Sequence, residues 1–143
     1  MKQEWIVVAS RADVRIFARK GIRSLELISE VGNPAGMLRT KDLESDSPGR
    51  ATDNRMHARH AYSTEESSRD RSLRTFYREI IEIIQRGAFE HRFESLTIIA
   101  EPRLLGILRA LLPANVKALV HREISKDLSY EGPGEILARL GGV

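Results

Sequence analysis

Ser95-Leu-Thr-Ile-Ile-Ala100-Glu-Pro-Arg103-Leu-Leu-Gly106-Ile-Leu-Arg109-Ala-Leu-Leu112 runs from a strand through a turn into a helix with no spacer. Leu96 to Ala100 is a short run, apolar on both faces apart from Thr97 and bounded by polar residues. That pattern suits a strand covered on each side of its sheet. Pro102 fits the first turn of a helix, where its missing N–H is no loss. Leu104, Leu105, Leu108, Leu111 and Leu112 then recur at the spacing of one helical face. A central strand should therefore lead straight into a packed helix.

Toward the amino end, Trp5 to Ala9 is a second short apolar run and reads as another buried strand. Ser10-Arg11-Ala12-Asp13 suits a turn, after which Val14, Ile16 and Ala18 alternate with Arg15, Phe17 and Arg19 as a hairpin partner. Lys20-Gly21 gives the next reversal, and Leu25, Leu27 and Val31 alternate mostly with polar residues, the pattern of an edge strand with one wet face. From Asn33 to Tyr62 no period persists, and a loop this long inside a domain is usually functional or disordered. Ser63-Thr-Glu-Glu66 has the form of a capping box. Leu73, Phe76, Tyr77, Ile80, Ile81 and Ile84 then mark the longest helix, which Gly87 should end. Beyond Pro113, the residues Val116, Ala118, Val120 and Ile124 mark a fifth strand, and Glu131 to Gly141 a short last helix with Pro133 near its start.

The order is β-β-β-α-β-α-β-α. A meander followed by two right-handed crossovers sets strand 1 beside strand 4 and gives a five-stranded mixed sheet of order 3-2-1-4-5. This is the α/β topology of the ribonuclease H-like fold. With 143 residues and no Pro/Ser-rich linker, the expectation is one domain over 1–143 with a long loop insertion at about 33–62.

There is no cysteine, which excludes disulfides, thiol catalysis, iron–sulfur clusters and cysteine zinc sites. The apolar run near the start is too short for a secretory segment and no stretch could span a bilayer, so a cytoplasmic chain without a membrane partner is expected. A net charge of +3 permits a nucleic-acid partner without arguing for one.

Arg103 carries the most informative charge, because a cation in the first turn of a helix opposes the helix dipole. An ion pair with Glu101 or with a carboxylate of a neighbouring loop would offset this. So would an anion held by Arg103, Arg109 and the N–H groups of the turn. The long loop adds Asp46-Ser-Pro-Gly-Arg50, then Arg55, His57, Arg59 and His60. His57 and His60 lack a third ligand at matching spacing, so neither a metal nor any other cofactor is expected. A nuclease of this topology needs carboxylates on the first strand, the first helix and the end of the fourth strand. Trp5 to Ala9 offers none, leaving Glu101 with Glu79 or Glu82 as isolated acids. Nucleophile-elbow, Walker and dinucleotide-binding motifs are absent. Outside the core patterns the rings are Tyr62, Phe89, Phe93 and Tyr130, a thin supply for sequence-specific reading of single-stranded RNA.

Trp5, Asp46-Ser-Pro-Gly-Arg50, Pro102-Arg-Leu-Leu-Gly-Ile-Leu-Arg109 and Lys126-Asp-Leu128 together resemble the bacterial host attachment protein family over nearly the whole chain. The resemblance implies a fold similar to the middle domain of archaeal and eukaryotic peptide-chain release factors. In those factors a Gly-Gly-Gln loop before the long helix assists hydrolysis of peptidyl-tRNA; residues 33–62 contain no Gln. The expectation is a non-enzymatic binding module acting indirectly in attachment. Its partner would be the ribosome or structured RNA, held by phosphate contacts from Arg50, Arg103 and Arg109, with Glu101 and Asp46 at the same site. A hydrolase working through the long loop is the alternative, as is a homodimer paired through the edge strand around Leu25 to Val31.

Overall fold

In a computed structural model, which describes residues 3–34 and 70–141, β1 (Glu4–Ala9) is buried from Trp5 to Ala9 and occupies the middle of the sheet. The Ser10 hydroxyl shapes the reversal that follows. It accepts the N–H groups of Ala12 and Asp13 at 3.2 and 3.1 Å and donates to the Asp13 carboxylate at 2.9 Å. β2 (Asp13–Lys20) returns antiparallel to β1, and Gly21, at φ 69°, turns the chain into β3 (Ser24–Gly32). β4 (Ser95–Ala100) pairs parallel with β1, and β5 (Val120–Ser125) pairs parallel with β4. The order β3-β2-β1-β4-β5 is the one the periodicity predicts.

The two faces of the sheet are covered separately. Residues 70–89 are helical, and Leu73, Phe76, Tyr77, Ile80, Ile81 and Ile84 pack with Trp5, Val7, Val14, Ile16, Leu96 and Ile98. The helix Pro102–Leu111 joins that core through Leu104, Leu105, Ile107 and Leu108. On the opposite face, Ile136 and Leu137 of the helix Pro133–Arg139, followed by Leu140, cover Ile6, Val8, Phe17 and Ile99. Each such side chain, fully buried, contributes about 1.5–3 kcal/mol.

Two boundaries differ from the sequence reading. Gly87 does not end the long helix, which continues to residue 89. It is needed within the helix because a Cβ there would come within 2.5 Å of the Trp5 ring. The end falls at His91, whose φ of 56° lets Arg92 N–H reach the Gly87 carbonyl at 2.8 Å. Val116 and Ala118 also fall outside the fifth strand. Residues Ala114–Lys117 form a single helical turn begun by Pro113, whose carbonyl accepts the Val116 and Lys117 N–H groups, and β5 starts at Val120. Ser63 to Glu66 and all of the insertion after Pro34 lie outside the described residues.

Candidate functional site

β1 and β4 are adjacent and parallel, yet the chain leaves β1 toward β2 on one side and leaves β4 toward β5 on the other. Their carboxyl ends therefore form the switch point at which open α/β sheets favour ligands. The Ser10–Asp13 turn, Glu101, Pro102 and Arg103 lie there, and the long helix brings Asp70 and Tyr77 beside them.

Several polar groups at this rim are bonded within the chain. Tyr77 is fully buried, and its hydroxyl donates to the Ser10 carbonyl at 2.9 Å. Burial pushes the phenol pKa well above its ordinary value. Arg11 opposes that rise, and Glu101 and Asp13 add to it. Arg103 Nη2 donates to Asp70 Oδ1 at 2.9 Å, so a carboxylate of the long helix stands against the guanidinium. Glu101 is the residue before the first helical turn; its backbone carbonyl accepts the Leu105 N–H, and its side chain makes no capping bond.

Arg109 lies six residues beyond Arg103, about 9 Å along the axis and about 120° around it. Its Nε and Nη2 clasp Glu123 on β5, and this holds the Glu123 carboxyl below the usual carboxylate range. Arg103 and Arg109 are thus not brought together. Asp46, Arg50, Arg55, His57, Arg59 and His60 lie outside the described residues.

The acids weighed for a nuclease are separated. Glu79 and Glu82 are exposed on the solvent side of the long helix. Glu4 opens β1 at the end far from the switch point, accepting the Thr97 hydroxyl at 2.6 Å and Arg19 at 3.4 Å. Among the described residues no group of three His, Asp or Glu could hold a metal ion, and no helix is long and apolar enough to cross a membrane.

The long helix also presents three arginines that no local motif singles out. Arg71, Arg74 and Arg78 are exposed, and at 3.6 residues per turn they fall within about 60° around the axis. None forms an ion pair among the described residues. Gln85 and Phe89 continue the same line, and Phe89 is 83% exposed. Phe93 is buried and stacked on Trp5 at 4.7 Å between ring centres. The signal for the arginine line was already in the periodicity: the positions opposite Leu73, Tyr77 and Ile80 are the ones the helix must show to solvent.

Sheet order and crossovers define an α/β domain of ribonuclease H-like topology. Within that class, the chain belongs to the family described as "Protein required for attachment to host cells", whose model matches residues 5–140. Its fold is similar to that in the crystal structure of an archaeal translation termination factor, aRF1, with a TM-score of 0.53 and 12% identity over 85% of this chain and 29% of that one. A second structure, of an archaeal protein, matches with a TM-score of 0.50 and 12% identity over 95% of this chain and 32% of the other. The chain spans about a third or less of the length of either. No curated protein matches it.

Proposed function

We propose that this chain is a non-enzymatic binding module that docks on structured RNA, the ribosome included, through phosphate contacts. The observation that carries the reading is the line of Arg71, Arg74 and Arg78 on the exposed face of the long helix. A guanidinium presents a planar fork of donors that matches phosphate geometry. Three of them on a rigid helix, without carboxylate partners among the described residues, form a local positive field that the net charge of +3 does not reveal. Arg11, exposed in the turn after β1, adds a cation at the switch point, near enough to act on Tyr77.

The bonding at the rim favours binding over catalysis. The Ser10 hydroxyl is held by its own turn, and the Tyr77 proton is donated to a carbonyl at a pKa raised by burial. Asp70 is engaged by Arg103. A nucleophile or general base needs a lone pair directed at substrate. The archaeal neighbour is named for translation termination, which makes the ribosome a sensible first partner to try. On this reading the protein works in the cytoplasm and affects attachment to host cells indirectly, through translation.

The test replaces Arg71, Arg74 and Arg78 with alanine, singly and together, and follows RNA binding and ribosome co-sedimentation across salt concentrations. Each replacement should weaken binding and lower the magnitude of the salt slope by about one for a phosphate contact. Unchanged affinity and slope in the triple variant would overturn the proposal.

A further inference from the structure

We infer that Phe89 receives an unpaired base of the same RNA, so that the module's substrate class is RNA carrying a single-stranded segment beside a helix, not blunt duplex. This rests on the phosphate-binding reading above. Phe89 lies eighteen residues after Arg71, five full turns at 3.6 residues each, and so at the same azimuth on the exposed face. It follows Arg78 by about 16 Å along the axis.

A helix gains nothing from a phenylalanine at a solvent position, where a polar side chain would have equal or better propensity and expose less apolar surface. Phe89 nonetheless stands 83% exposed, with Glu82, Gln85 and Arg86 around the shallow depression it borders. Gln85, one turn earlier, offers an amide that can both donate to and accept from a base edge. Glu82 interrupts the face between the arginines and the ring, and its carboxylate repels a phosphate there. The arginine line thus lies in the first half of the helix, and the second half adds the aromatic ring, with Gln85 and Arg86 beside it.

The ring is also presented from a rigid base. Gly87 lets the helix sit directly on Trp5, which stacks on Phe93, and Arg92 lies over the Trp5 ring at 5.3 Å. A mounted ring next to a phosphate-binding line suits a splayed nucleotide. In an A-form duplex the base faces are stacked on one another, and the grooves offer edges and hydroxyls instead.

The experiment compares two RNA hairpins, one blunt and one with a short unpaired uridine tail, by fluorescence anisotropy over a range of salt. The native chain should bind the tailed hairpin about tenfold more tightly, the size of one base-stacking contact. Phe89→Ala should abolish that preference while leaving affinity for the blunt hairpin and the salt slope unchanged. Phe89→Trp should restore the preference, with tryptophan fluorescence quenched on binding. If the native chain does not distinguish the hairpins, or Phe89→Ala keeps the preference, the inference is wrong. In that event the arginine variants still decide the phosphate reading on their own, and failure of the native chain to bind either hairpin would end both.

Discussion

Arg103 lies in the first turn of a helix whose amino end carries the equivalent of about half a positive charge, and Asp70, at 2.9 Å, is a carboxylate set against it. That the arginine required an offset was legible from its position after Pro102. The identity of the partner was not, because thirty-three positions separate the two in sequence and the fold alone brings them together. Tyr77 had a similar history. Its place in the apolar period marked it as core, but nothing local showed that its hydroxyl would reach the Ser10 carbonyl. Replacing Tyr77 with phenylalanine should cost about 1 kcal/mol at neutral pH for the lost hydrogen bond. At high pH the comparison changes. The folded state holds the phenol proton more tightly than the unfolded chain does, so this group's contribution is complete below the ordinary tyrosine pKa of about 10 and falls as pH rises beyond it. The stability advantage of the native chain over Tyr77→Phe should therefore fall by about 1.4 kcal/mol per pH unit above pH 10, closing and then reversing within about one unit. Urea unfolding at a series of alkaline pH values measures it, and a constant gap would show that the phenol is not held protonated.

At the scale of elements, the strand, turn and helix from Ser95 to Leu111 could be read because each signal was local: an apolar run, a proline at the first helical turn, a leucine stripe. The two misplaced boundaries depended on distant contacts. Gly87 reads as a helix end until the Trp5 ring beneath it is known. The apolar residues after Pro113 read as strand because one helical turn is too short to show a period. Arg15 is the other long-range device. Its guanidinium donates to the carbonyls of Leu128, Ser129 and Glu131 at 3.1, 3.1 and 2.8 Å and lies over the Phe17 ring, pinning the loop that delivers the last helix to the sheet. Arg15→Met should leave those carbonyls without their charged donor, at a cost of about 2 kcal/mol. The urea midpoint should fall, and amide exchange should accelerate in Pro133–Arg139 more than in residues 70–89. Equal acceleration in both helices would show that Arg15 is not specific to that loop.

For the whole molecule, hydrophobic period and the handedness of crossovers were enough to define the sheet order, and with it the switch point between β1 and β4. The same period marks which positions of the long helix face solvent, Arg71, Arg74, Arg78 and Phe89 among them, but not that the three arginines would lack an ion pair among the described residues. The outer strand β3 shows the opposite tendency: a register shift opposite Ile16 and Phe17, together with Glu26 and Glu30, makes it a poor template for another strand. On the proposed reading, the long helix is the face that meets RNA, with the turn at 10–13 at the nearby sheet rim. Titrating an isotopically labelled chain with an RNA hairpin, and following backbone amide shifts by NMR, tests that placement most directly. Shifts should concentrate at residues 71–89 and extend to the turn at 10–13. Shifts confined to β3 and the Pro133–Arg139 helix, or no shifts at saturating RNA, would contradict it.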